Sequence, residues 1–121
     1  MNQNELKART KQFAIRIINF CDSLPHNRKG WTIGDQLIRC GTSVGANYRA
    51  ACRAKTSPAF LHKIGVVEEE ADESVFFLEM CEECDFGEST ERKFLLKEAN
   101  ELTAIFTATS KSLENKKYSN A

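Results

Sequence analysis

Long hydrophobic runs are missing from this chain. Its longest apolar stretches are a few residues, which excludes a membrane-spanning helix. Alternation of polar and apolar residues over strand length is missing too, so nothing argues for a sheet. Net charge is absent, 17 Lys+Arg balancing 17 Asp+Glu. The first residues, MNQNELKARTKQF, have no apolar core and do not read as a secretory signal. Five cysteines form an odd set without framework spacing, which fits reduced thiols in a cytosol better than a secreted scaffold. No phosphate-binding loop, nucleophile elbow or zincin motif is present. There is no Glu-x-x-His, and before Glu68 the only acids are Glu5, Asp22 and Asp35, so a di-iron carboxylate centre is excluded. The expectation is a cytoplasmic protein with no catalytic residues, no metal and no other cofactor.

What is present is a helical repeat. A 4-3-4-3 spacing runs through Leu6, Thr10, Phe13, Ile17, Phe20 and Leu24, and again through Ile33, Leu37, Cys40, Val44, Asn47 and Ala51. It returns at Phe60, Ile64, Val67, Ala71, Ser74, Leu78 and Cys81, and at Leu95, Ala99, Leu102, Phe106, Thr109 and Leu113. Leu24-Pro25 ends the first helix, because proline disfavours α geometry in the residue before it. Thr32 can cap the second, with Asp35 at the capping-box position. Ser57-Pro58 starts the third, Gly87 can close it, and Ser89 or Thr90 opens the fourth. The predicted helices cover about 4–24, 33–54, 58–85 and 90–115 in a single domain over 1–121. Connections this short imply an all-α, antiparallel, up-down-up-down four-helix bundle. The tail from Lys116 is expected to fray.

Two helices carry more apolar surface than such a bundle needs. The segment Gly41-Thr42-Ser43-Val44-Gly45-Ala46-Asn47 is almost wholly small residues. Glycine costs a helix interior roughly 1 kcal/mol relative to alanine, so two of them one turn apart mark a close approach of another backbone. A second stripe on this helix holds Gly34, Ile38, Gly41, Gly45, Tyr48 and Cys52. One on the third helix holds Val66, Glu70, Glu73, Phe77, Met80 and Cys84. Excess apolar surface marks an interaction site. The expected homo-oligomer interface is therefore Ile38, Gly41, Gly45, Tyr48, Val66, Phe77 and Met80. Glu70 and Glu73 interrupt that stripe and need partners if buried. Ser43, Asn47, Arg39 and Arg49 can supply them, so a buried polar network of Asn47, Ser43, Glu70 and Glu73 is expected.

The zero net charge hides two opposed halves. Met1 to Lys63 carries net +8 and Ile64 to Ala121 net −8. Such halves either attract each other, within a chain or between copies, or present a basic face to nucleic acid. Candidate nucleic-acid contacts are Arg39, Arg49, Arg53 and Lys55, with Lys7, Arg9, Lys11 and Arg16 from the first helix. Cys81-Glu82-Glu83-Cys84 is a CxxC without a second pair or a partner histidine. Both cysteines continue apolar seams, so core packing competes with a thiol- or metal-dependent enzyme role. His26 and His62 read as surface residues. Gly41-x-x-x-Gly45 has the spacing of a membrane helix-pairing motif, but Arg39, Arg49 and Arg53 exclude a span.

Gln36-Leu37-Ile38-Arg39, then Thr42-Ser43-Val44-Gly45-Ala46-Asn47-Tyr48, then Ser57 with Phe60, then Glu70-Ala71-x-Glu73-Ser74 and Phe77-Leu78 follow a familiar order. In that order the chain resembles the bacterial four-helix-bundle proteins encoded in intervening sequences of 23S ribosomal RNA genes, the so-called S23 ribosomal protein family. The likeness runs from about Phe13 to Leu113. It implies a four-helix protomer assembling into a homopentamer, with no established enzymatic activity. The chain is also similar to accessory proteins of diversity-generating retroelements, barrels that bind a reverse transcriptase and nucleic acid. The partners implied are further copies of itself and RNA, DNA or a nucleic-acid enzyme. A purely structural protein–protein ring is the alternative.

Overall fold

The computed structural model describes the backbone of residues 1–119 and the side chains of residues 1–115. Four helices follow one another: α1 (Gln3–Phe20), α2 (Arg28–Cys52), α3 (Ser57–Cys84) and α4 (Ser89–Ser119), with a 3-10 turn at Cys21–Ser23 after α1. No strand occurs among the described residues. The tail expected to fray from Lys116 keeps a helical backbone to Ser119, and residues 120 and 121 lie outside the described residues.

Side chains start these helices, and not always the expected ones. Asn2 accepts the Glu5 backbone N–H at 2.8 Å and donates to the Glu5 carboxylate at 3.1 Å, closing a reciprocal cap on α1. Helix α2 begins at Arg28, well before the expected 33, because Asn27 Oδ1 accepts the Gly30 N–H at 3.2 Å. Thr32 lies inside the helix. The early start is possible only with glycine at 30, since a Cβ there would sit 1.8 Å from the Pro25 carbonyl oxygen. Thr56, not Ser57, caps α3 by accepting the Ala59 N–H at 3.2 Å. Asp85, not Gly87, closes α3 in the left-handed region with φ 55°. Glu88 opens α4 in place of Ser89 or Thr90, its carboxylate accepting the N–H groups of Thr90 (3.0 Å) and Glu91 (2.7 Å). Those backbone donors favour the ionised form and lower the Glu88 pKa.

The four seams meet in one core in which Phe13, Ile17, Leu37, Val44, Ile64, Leu78, Leu102 and Phe106 are fully buried. Helix α2 packs on α1 and on α3, and α4 packs on α3 and on α1. Being flanked on both sides, α2 needs a wider buried face than one seam provides. This corrects the expected oligomer interface. Gly41, Gly45 and Tyr48 are buried inside the protomer. A Cβ on Gly41 would meet Ile17 side-chain atoms at 3.0–3.3 Å, and one on Gly45 would meet the Thr10 backbone at 3.4 Å. The Tyr48 ring lies 5.4 Å from that of Phe106. Of the expected interface, Ile38 is exposed and Val66, Phe77 and Met80 are half-buried.

Candidate functional site

Three arginines of the basic half pair with acids of the acidic half. Arg9 binds Glu98 through Nε at 2.8 Å and Nη2 at 2.6 Å, and also reaches Glu101 at 2.7 Å. Hydrogen bonding from Arg9 outweighs burial and holds the Glu98 carboxyl below its ordinary pKa. Arg16 binds Glu91 at 2.5 and 3.0 Å while its guanidinium lies 3.6 Å from the centre of the Phe94 ring. Arg39 bridges Glu70 at 3.2 Å and Glu73. Attraction between the halves therefore operates within the chain.

Four cations outside these bridges collect elsewhere. Lys7, Ala8 and Lys11 of α1 with Arg49 and Arg53 of α2 line an open depression of about 290 Å³. Lys7 and Lys11 are one turn apart, as are Arg49 and Arg53, so two short cationic rows face each other with a rise of about 6 Å along each. The close approach of Gly45 to the Thr10 backbone sets the spacing between the rows. None of the four forms an ion pair among the described residues. Of the expected nucleic-acid contacts, Arg49 and Arg53 thus come together with Lys7 and Lys11. Lys55 is exposed but outside the lining, and Arg39, Arg9 and Arg16 are occupied by acids. Lys7 and Lys11 were legible as basic residues of the first helix, but their juxtaposition with Arg49 and Arg53 depends on the packing of α1 against α2, which their spacing does not carry.

The expected buried network of Asn47, Ser43, Glu70 and Glu73 does not form as one unit: the two polar residues and the two acids find separate partners. Asn47 donates to the Ser43 carbonyl at 2.9 Å and accepts from Lys63 Nζ at 3.4 Å, and Ser43 Oγ donates to the Arg39 carbonyl at 2.6 Å. Glu70 and Glu73 both reach Arg39, with side chains 19% and 37% exposed. The reason is that Cys40 and Ser74, 3.3 Å apart, occupy the buried layer between α2 and α3, leaving the two acids at its rim. Burial outweighs Arg39 at Glu70 and raises its pKa.

The two cysteines of the CxxC lie in different surroundings. Cys81 is buried and Cys84 exposed. Burial pushes the Cys81 thiol up to about 11 and the Cys21 thiol up to about 12, leaving little thiolate at neutral pH. No group of three or more His, Cys, Asp and Glu suited to a metal ion occurs among the described residues. His26 and His62 are exposed. No helix among the described residues is long and apolar enough to cross a membrane. A second depression of about 290 Å³, lined by Glu79, Glu82, Glu83 and Leu96, lies between α3 and α4.

The model of the 23S rRNA-intervening sequence protein family matches residues 2–108. Among solved structures, a protein with unknown function from the S23 ribosomal protein family of Bacteroides thetaiotaomicron VPI-5482 is similar. It is 27% identical with a TM-score of 0.81, over 92% of this chain and 99% of that one. No curated protein matches. The family match spans all three buried seams of α1 to α3 and most of α4. The chain belongs to the 23S rRNA-intervening sequence protein family.

Proposed function

We propose that this chain is a non-enzymatic, self-assembling binding module that holds RNA phosphates in the α1–α2 groove. One observation carries the reading: Lys7, Lys11, Arg49 and Arg53 converge without counter-charges while their neighbours Arg9, Arg16 and Arg39 are ion-paired. Cations that fold together unpaired pay a repulsion which a polyanion relieves. Structured RNA is the partner, and DNA or a nucleic-acid enzyme such as a reverse transcriptase is the wider class. The setting is cytoplasmic. The protomer is read as an antiparallel, up-down-up-down bundle, supported by contact pairs that run in opposite chain directions. Ile17 meets Gly41 before Thr10 meets Gly45, and Arg39 meets Glu73 before Asn47 meets Lys63. Assembly into a homopentamer is what the family resemblance implies. A structural ring without nucleic acid is a second reading, favoured by the exposed Trp31 and Ile38.

Fluorescence anisotropy with a structured RNA at low ionic strength tests the proposal. Binding should weaken steeply with added salt, and Arg49→Glu with Arg53→Glu should lose most of the affinity. Absent binding, or binding indifferent to salt, defeats it.

A further inference from the structure

We propose that the outer face of α1 and α2 docks onto the outer face of α3 of a second copy of this chain, head to tail. The inference deepens the self-assembly part of the proposed function and is independent of RNA binding.

The first face is apolar in its middle and cationic at both ends. Trp31 is 62% exposed, Ile18 44% and Ile38 37%. Gly34 packs beside Cys21 and Leu24, and Gly41 beside Ile17, which places Ile38 and Ile18 at one level of the bundle. Trp31 lies seven residues, about two turns, before Ile38 on the same side of α2. Lys11 and Arg49 flank this patch at one end and Arg28 and Lys29 at the other.

The second face has the complementary order. Glu69, Asp72, Phe76, Glu79 and Glu83 repeat every three or four residues, so they form one stripe of α3, and all five are exposed. Phe76 is 55% exposed at its centre with two acids on either side. From Phe76 to Glu69 or to Glu83 is seven residues, about 10 Å, which is also the separation of Ile18 from Lys11. Seating Phe76 among Ile18, Ile38 and Trp31 therefore brings the stripe's terminal acids to the cations at both ends. A desolvated aromatic centre inside a charged rim is the anatomy of a protein interface. Because the two faces differ, each copy in a pair keeps one of each free, and the contact propagates to a ring or a filament.

Trp31 is the only tryptophan of the chain, so its emission reports on the contact directly. The full chain should form an oligomer by light scattering, with Trp31 emission moving to shorter wavelength as concentration rises. Lys11→Glu with Arg49→Glu should give a monomer, as should Glu69→Lys with Glu83→Lys, each with unchanged helical circular dichroism. Mixing these two monomers should restore association, because the unchanged acidic stripe of the first then meets the unchanged cationic face of the second. Phe76→Ser, which alters no charge, should also lose the oligomer. A wild-type monomer at every concentration overturns the proposal, as does an oligomer that survives both charge reversals or a mixture that stays dissociated. The α3 variants lie outside the cationic groove: loss of assembly with RNA binding retained supports the docking, and loss of RNA binding in wild type with assembly intact defeats only the groove.

Discussion

Gly65 and Gly30 are both helical glycines, and they differ in what a methyl group would meet. Nothing lies within 4 Å of a Cβ at Gly65, whereas one at Gly30 would overlap the Pro25 backbone. Gly65→Ala should therefore raise stability by about 0.5–1 kcal/mol, since only the conformational cost of glycine is removed. Gly30→Ala should cost about 1–3 kcal/mol, because a backbone carbonyl cannot rotate away. Paired urea melts check both signs. The same contrast explains what was legible at single residues. That Gly41 and Gly45 permit a close approach followed from two costly residues one turn apart. Which backbone approaches did not follow: a helical seam identifies a buried face but not the element that buries it, and here that element is α1 of the same chain. Glu70 and Glu73 were expected to find a partner among Ser43, Asn47, Arg39 and Arg49, and Arg39 is the one that reaches them. Their depth was misjudged because a rim position and a core position differ by a fraction of a turn.

At the scale of elements, the four apolar repeats were enough to place four helices, since burial of one stripe dominates helix stability. The ends were less legible. Caps depend on which polar side chain actually folds back, and several neighbours qualify by type. Asn27 and Thr32 both look like N-caps, yet only Asn27 accepts a first-turn N–H, that of Gly30. Asn27→Ala should cost about 1 kcal/mol, while Thr32→Ala should change stability by no more than about 0.5 kcal/mol. A larger loss for Thr32→Ala than for Asn27→Ala in thermal melts would mean that α2 begins at Thr32 in solution. Glu88 illustrates the same difficulty. Residue type favours Ser89 or Thr90 as the cap, but the two carboxylate oxygens of Glu88 reach two backbone donors, which a single hydroxyl cannot do as well.

Across the whole molecule, the +8 and −8 halves are only partly neutralised by the bridges of Arg9, Arg16 and Arg39. Lys7, Lys11, Arg28, Lys29 and Arg49 remain on α1 and α2, and the acidic stripe lies on the outer side of α3. Lys11 and Arg49 belong both to the phosphate groove and to the rim of the proposed contact, so RNA and a neighbouring copy draw on the same charges. Salt separates the two uses. Four phosphate contacts give a slope of about −2.8 to −3.6 in log affinity against log salt, a loss of roughly 50- to 150-fold between about 50 and 200 mM. A contact with an apolar centre loses far less over that range, because screening acts on its rim alone. Charge sharing then fixes the sign for Phe76→Ser. Freed from its neighbour but unchanged in charge, this variant should bind RNA per chain at least as tightly as wild type, with the same salt slope. Anisotropy titrations at matched chain concentration read both quantities. A large fall in affinity would mean instead that two copies build the RNA site together, and that the groove of one protomer is only half of it.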